Sequence, residues 1–547
     1  MRTIFINGKV YTGELPLKEA FAVEDDRFVF AGENREALSQ KHEASAVVDL
    51  NGKFVCAGFI DSHMHLVNFG ASLKTAQLAA HTGSLAELKA ALKTHLADTG
   101  LPKGRWLLGR GWNQDYFRDQ KRFPNRYDLD EVSKDHPVMA ARACGHVLAV
   151  NSKALEVIGV LPDEMPGGSI DRDDNGEPLG IFKENAQRLV YEKIPAPNRR
   201  EIKGMILSAA AVLNSYGVTS CHSDDFGSAE SPYEIIEAYK ELEREGNLTV
   251  RVYQQSHFES LEGLKEFIRK GYNTGTGSGF FKIGPLKMLS DGSLGARTAY
   301  LSEPYADDPS TAGVAVHTED ELFGMISFAN SHGMQVAVHA IGDRAMELVI
   351  GSIEKALCEH PRADHRHGVI HCQITTPALM EKFRRLSLHA YIQSIFLDYD
   401  ISIVEKRIGA KRAESSYNFK TLMESGVWTS NGSDCPVELP DVLAGIQCAV
   451  TRSALSGSKP FLADQAYSVR QALDSYTKNG AHASFEENFK GRISPGFVAD
   501  FVILDRDPFT EPHDSLKNIK VLATYLGGKR VYEAVEFPYV CSGIQES

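Results

Sequence analysis

Apolar runs of strand length alternate with amphipathic segments of helix length through the middle of this chain, and that alternation limits the folds open to it. Strand candidates lie at residues 54–60, 138–141, 218–221, 250–254, 282–289, 335–338, 367–370, 391–393 and 427–430. Helical patterns at 202–215, 233–245, 319–332 and 344–359 separate several of them. Repeated β-α units imply a parallel sheet covered by helices. About eight such units over residues 56–487 fit a (β/α)8 TIM barrel with insertions. A doubly wound open sheet is the structural alternative. No GxGxxG follows a strand candidate and no Gly-rich phosphate loop is present, which disfavours a nucleotide-binding version.

The two ends read differently from the middle. Residues 1–55 are a series of short strands (3–6, 9–12, 20–23, 27–31, 46–49), with Asn7-Gly8 and Asn51-Gly52 supplying turns. Residues 488–547 share this texture at 500–504, 521–526 and 530–533. The expected arrangement is one small β domain made from both termini (1–55 and 488–547), flanking the central domain. A segment from about 70 to 200 exceeds an ordinary β-α loop. It is Pro/Gly-rich at Met165-Pro166-Gly167-Gly168 and carries a hairpin-like turn at Asp171–Pro178. Part of it reads as an inserted lid after the first strand.

Composition excludes several classes. Hydrophobic content of 43% and charged content of 24% are ordinary for a soluble globular protein. A net charge of −13 argues against a nucleic-acid partner, which would need a basic patch. The N-terminal apolar stretch is too short for a signal-peptide core. No apolar run reaches the length of about 18 residues that a membrane helix needs. The eight cysteines (Cys56, Cys144, Cys221, Cys358, Cys372, Cys435, Cys448, Cys541) form no CxxC pair. They read as reduced thiols of a cytoplasmic protein rather than a disulfide framework or a structural zinc site. The partner expected is a small-molecule substrate, with no nucleic acid and no membrane; a homo-oligomer is compatible with this.

The chemistry is concentrated at strand ends. His63 and His65 follow an apolar run, and side chains at i and i+2 of a strand point to one face. A strand ending in His-x-His aims two imidazoles at one point, and neutral imidazole is the commonest ligand for transition metals. Taken alone the motif fits two loop histidines equally well. Other strand candidates end the same way: in His339, in His371, in Lys287 before Asp291-Gly292-Ser293, and through Asn431-Gly432-Ser433 in Asp434. Barrel active sites are built from the C-terminal ends of strands. Six polar groups in that relative position are hard to explain by packing. Imidazole and carboxylate suit zinc, iron or manganese. Asp434 is placed to take a proton from an activated water and pass it to a leaving group. A lysine ammonium is no ligand, having no lone pair, but its carbamate can bridge two metals.

These residues resemble the amidohydrolase superfamily, most closely its amidohydrolase-3 branch, which includes N-substituted formamide deformylase. The matching stretches are Cys56–His65, Gly111-Trp112-Asn113, Gly145-His146 through Asn151-Ser152, Leu286-Lys287 through Asp291-Gly292-Ser293, Val338–Asp343, His371 and Gly432–Pro436. The resemblance implies His63 and His65 as first-strand metal ligands and Lys287 as a carboxylated bridging lysine. It implies His339 and His371 as ligands of a second metal, and Asp434 as ligand and general base. It also implies a β-sandwich formed by the two termini. The cofactor implied is a divalent metal, zinc first, at one or two ions per chain. Lys282, five residues before Lys287, is the competing lysine; if Lys287 is an ordinary barrel residue, the site is mononuclear.

Other residues carry a functional and a plainer reading. His146 matches a substrate-facing position of the family. Trp112, in the lid segment, contacts substrate or packs the lid. His222 ends a strand and lines the pocket or supports it. Arg297 pins a substrate carboxylate or pairs with a nearby acid. His365 and His367, a second His-x-His, precede their strand and belong to the stability face. Asp343 orients a ligand or caps a helix. The reading is a cytoplasmic metal-dependent amidohydrolase acting on non-peptide carbon–nitrogen bonds, in which hydroxide generated at the metal attacks the carbonyl. A non-catalytic metal-binding regulator, or a hydrolase of an ester or lactone or a deaminase, is the alternative.

Overall fold

Gly58 divides the first apolar run into two strands that enter different sheets. In this computed structural model, which describes residues 2–42, 45–143, 146–162 and 168–535, the strand Phe54–Ala57 ends there and Phe59–Met64 begins. A Cβ at position 58 would stand 2.3 Å from Thr219 Oγ1, so only glycine lets the chain cross here.

Phe59–Met64 is the first of eight parallel strands, here β1. The others are β2 (Val218–Ser223), β3 (Arg251–His257), β4 (Phe281–Leu289), β5 (Val336–Ala340), β6 (Gly368–His371), β7 (His389–Ile392) and β8 (Trp428–Asn431). They lie side by side in sequence order. Strands β8 and β1 nearly close the barrel: the Asp434 N–H donates to the His63 carbonyl at 2.8 Å. Helices cover the outside. Arg199–Ser215 turns Ile202, Ile206, Ala209, Ala210 and Leu213 inward at helical spacing. Pro232–Arg244 starts on Ser231, whose hydroxyl accepts the Tyr233 N–H, with Pro232 where no N–H is needed. The doubly wound alternative does not describe this molecule.

The N-terminal residues form one further sheet by themselves and share a second with the C-terminal strands. A four-stranded sheet runs Arg27–Gly32, Ala20–Glu24, Arg2–Ile6, Ala46–Asp49; a five-stranded one runs Lys9–Tyr11, Phe54–Ala57, Phe501–Leu504, Val521–Leu526, Lys529–Glu533. Phe5, Phe21 and Phe28 share a core with Val55, Phe501 and Ile503. The Arg251 guanidinium of β3 makes a buried bidentate pair with Asp500, tying the barrel to the C-terminal strands.

Gly70–Asn198 forms a separate compact unit around its own six-stranded sheet. The apolar run at 138–141 belongs here and not to the barrel. Val138–Arg142 pairs antiparallel with Val147–Val150, its neighbour in sequence, and parallel with Leu107–Trp112. An apolar strand pairs locally when a partner follows so closely. The Met165-Pro166-Gly167 turn falls outside the described residues. Among those residues no helix is long and apolar enough to cross a membrane.

At the N-terminal end of the barrel strands, Glu486 is buried between two lysines. Its carboxylate lies 2.7 Å from Lys282 Nζ and 2.7 Å from Lys490 Nζ, and Lys490 also bonds Ser220 at 2.6 Å. Burial would raise this carboxyl, but Lys490 and Lys282 bring it from 4.5 down to about 2. A depressed carboxyl contributes stability that is complete above its unfolded value and is lost as pH falls toward its folded value. Glu486→Gln strands two cations in a low-dielectric site and is expected to cost about 3–5 kcal/mol at pH 7. Denaturant titrations should show the gap to wild type narrowing as pH falls from about 4.5 to about 2, the window set by Glu486. A gap that stays constant through that window would show that Glu486 does not carry the linkage.

Candidate metal centre

The ends of β1, β6 and β8 converge. His63, His371 and Asp434 bring ligand atoms within 4.8 Å of one another, and all three are buried. His63 Nε2 lies 3.3 Å and His65 Nε2 3.1 Å from Asp434 Oδ1. The His63 and His371 rings are 5.5 Å apart, and the His339 ring packs on His371 at 4.4 Å. Both His371 (φ 78°) and Asp434 (φ 57°) sit in left-handed backbone conformations. Such strain in non-glycine residues clusters where a site over-determines the chain.

Each ring is fixed by its other nitrogen. His63 Nδ1 donates to Gln255 Oε1 (2.6 Å), with Gln255 Nε2 donating in turn to the Ser62 carbonyl. His65 Nδ1 donates to the Asp224 carbonyl (3.0 Å), and His371 Nδ1 to Gln393 Oε1 (2.7 Å). His339 is turned the other way: Nε2 bonds the Gly292 carbonyl at 3.0 Å and stands 3.3 Å from Asp291, which leaves Nδ1 for ligation. Asp291 is itself held by the N–H groups of Tyr300, Ile341 and Gly342.

This pattern fits a cation. With their Nδ1 protons committed, neutral His63 and His371 present Nε2 lone pairs to the centre. Burial opposes a charge on His65, but its contact with Asp434 and the charge of Asp224 bring it above its ordinary value. Burial, opposed by Asp434, brings His63 below its ordinary value, and burial together with His339 brings His371 well below, so both rings are neutral at pH 7. Burial opposes ionisation of Asp434, but the hydrogen-bonding contacts from His63 and His65 hold it well below the usual carboxylate range. Imidazole nitrogens 3.1–3.3 Å from a carboxylate oxygen need a positive charge among them, either a proton on a ring nitrogen or a bound cation in its place. Three inward imidazoles and one carboxylate are a donor set for a divalent transition metal.

Lys287 is 1% exposed at the end of β4, with Asp224 Oδ2 3.5 Å from its Nζ. Lys282, by contrast, is spent on Glu486 at the start of the strand. Asp224 also lies 3.8 Å from His257 Nδ1. Gln255, Gln393, Asp224, Asp291 and Asp61 escaped the sequence reading. Gln255 and Gln393 stand at strand ends, and Asp61 and Asp291 lie within the quoted motifs; these positions were the available signal.

Other candidates are placed elsewhere. His222 is fully buried inside the barrel between Tyr253 and Tyr391, with ring centroids 5.2 and 6.3 Å away, and burial pushes it down to about 3. Arg297 is committed to a bidentate pair with Asp307 (2.9 and 3.1 Å), the plainer of its two roles. In the Gly70–Asn198 unit Trp112 is fully buried, its indole N–H donating to the Ala140 carbonyl, so it packs that unit's core and offers no surface to a substrate. His146, in the same unit, is exposed and bonds Glu184 at 2.9 Å. His365 and His367 bond the Leu386 carbonyl and Asn330, away from the strand ends that carry the centre. Asp343 accepts from Ser302 at the start of the helix Asp343–Glu359.

The putative amidohydrolase YtcJ of Bacillus subtilis (strain 168) is 34% identical over 97% of this chain and 100% of its own. N-substituted formamide deformylase of Arthrobacter pascens is 26% identical over 94% of this chain and 95% of its own. The crystal structure of an uncharacterized metal-dependent hydrolase from Pyrococcus horikoshii OT3 superposes with a TM-score of 0.78 at 31% identity, covering 94% of this chain and 99% of that one. The family model described as "Amidohydrolase family" matches residues 46–532, and the chain belongs to that family.

Proposed function

We propose that this chain is a metal-dependent hydrolase that cleaves a carbon–nitrogen bond of amide type, with N-acyl or N-formyl amines as the substrate class. The observation that carries the reading is the convergence of the ligand atoms of His63, His371 and buried Asp434 within 4.8 Å of one another. The residues that would hold the metal are His63, His65, His339, His371 and Asp434, with Lys287 joining as its carbamate. That carbamate forms when the neutral amine adds to carbon dioxide and releases one proton. A divalent ion supplies Lewis acidity: it polarises a carbonyl and brings the pKa of water down to near 7.

The protein's own groups do the rest. Asp434 takes the proton of the attacking water and delivers it to the departing nitrogen, which could not leave as an amide anion. Gln255 and Gln393 hold His63 and His371 in the Nδ1-H tautomer, so their Nε2 atoms stay available. The resemblance to a named formamide deformylase supports the acyl class. A cytoplasmic location and zinc as the metal are parts of the same proposal.

Elemental analysis of protein expressed with and without bicarbonate is expected to find about two ions per chain, the number a bridged pair needs. None, even after zinc addition, removes the reading. Asp434→Asn should keep the far-ultraviolet circular dichroism of wild type and lose about 10²–10⁴-fold or more in kcat on N-formyl amines. Full activity in that variant removes Asp434 from its role. Gln393→Leu leaves His371 without its orienting acceptor and should weaken zinc binding about 10–100-fold in competition with a chromogenic chelator. Unchanged affinity there would mean that His371 is oriented by packing alone, for instance by the stacked Phe396 ring.

A further inference from the structure

The loops that follow β6, β7 and β8 carry a second group of acceptors next to the metal centre. Gln373 stands two residues beyond His371, and Glu438 four residues beyond Asp434. The segment after β7 leads from Gln393, which holds His371, through Phe396, which stacks on His371, to Asp398 and Asp400. Gln373 is 3% exposed; its Nε2 is 3.5 Å from Asp400 Oδ2, while its Oε1 is buried and accepts no hydrogen bond.

Among the described residues no cation pairs with Asp400 or Glu438. Burial, then Asp398 and Asp400, push Glu438 up to about 7. Burial pushes Asp400 up to about 6 against the hydrogen bond from Tyr417. Asp398 accepts the Leu455 N–H, and the nearby Lys517 ammonium is given to the Leu455 carbonyl rather than to a carboxylate. Negative charge and an orphaned amide carbonyl are costly in a half-buried site unless a donor cation meets them. The atoms do not converge as metal ligands do: among the described residues only His63, His371 and Asp434 form such a group. Val437 and Leu439, exposed on either side of Glu438, offer apolar surface to a carbon stem.

We propose that Asp400, Glu438 and the Gln373 carbonyl form a subsite for an organic ammonium or guanidinium group carried by the amine portion of the substrate. This deepens the hydrolase reading and rests on it for the word substrate; the cation site itself does not depend on turnover.

Calorimetric titration of the metal-loaded full chain with α,ω-diamines of three to six carbons, each beside the 1-alkylamine of equal length, tests the subsite. The second ammonium should tighten binding about tenfold or more at one chain length, as a charge-assisted hydrogen bond does. That gain should disappear in Glu438→Gln and in Asp400→Asn. If Asp400→Asn fails to fold, Glu438→Gln, a half-exposed isosteric change, decides alone. Diamines and alkylamines that bind alike, or a gain that survives both substitutions, overturn the proposal. Hydrolysis of N-formyl alkylamines is followed in parallel. A chain with the diamine gain but no hydrolysis loses the hydrolase reading and keeps the subsite. Hydrolysis without the gain keeps the reading and loses the subsite.

Discussion

The centre exists because the barrel closes on a single buried carboxylate. Asp61 on β1 accepts the His63 N–H (3.2 Å) on its own strand, and the Ser433 N–H and hydroxyl from the far end of the chain. Burial pushes this carboxyl up to about 7 against those bonds, so its place is held by the donors that converge on it. Gly432 makes the approach feasible: a Cβ there would stand 2.5 Å from the His63 nitrogen and 2.9 Å from Asp61 Oδ1. With the seam drawn this tight, the Asp434 N–H reaches the His63 carbonyl and its side chain turns to the imidazoles. Candidate ligands 371 residues apart (63 and 434) meet through backbone contacts at one strand edge.

The orienting groups around the centre set its charge. Histidine ligands are often backed by carboxylates, which raise their basicity and soften the metal they hold. Here His63 and His371 are backed by neutral glutamine amides and His65 by a backbone carbonyl. Amides fix the tautomer without adding negative charge, so an ion in this site keeps more of its Lewis acidity. The carboxylates are displaced outward: Asp224 beside Lys287, Asp291 behind His339, Asp61 in the seam. Among the described residues Asp434 is the one carboxylate in the convergent group with His63 and His371.

What the sequence disclosed follows from range. The alternation of strand and helix patterns, and the polar residues at the ends of several strand candidates, are local signals with local causes. The side-chain period of two and the barrel rule convert them directly into a shared face. The residues that escaped have roles fixed by distant partners: Gln255 matters through His63, 192 positions away, and Asp61 through Ser433, 372 positions away. Val138–Arg142 misled for the same reason. Its composition suits any buried strand, and only its pairing with Val147–Val150 places it outside the barrel. Trp112 carried two readings, lid packing or substrate contact, and only its burial in the core of its own unit decides for packing.

Lys282 and Lys287 show how one strand separates stability from chemistry. Both lie on β4, five residues apart, and as residue types they are equivalent. At the strand start Lys282 meets Glu486, and with Lys490 forms a bonded ionic cluster at the end of the barrel opposite the metal centre. At the strand end Lys287 is buried beside Asp224 at 3.5 Å, longer than a direct hydrogen bond. His365 and His367 divide from His63 and His65 in the same way. The first pair satisfies backbone and amide groups before β6, and the second aims its Nε2 atoms at Asp434 beyond β1. Residue type and spacing are identical in the two His-x-His pairs, so strand polarity decides which becomes a ligand set. At the N-terminal end Lys282, Lys490, His365 and His367 each find a partner within the barrel and its loops. At the C-terminal end the chain leaves acceptors facing one another, an arrangement that is stable only with a cation among them.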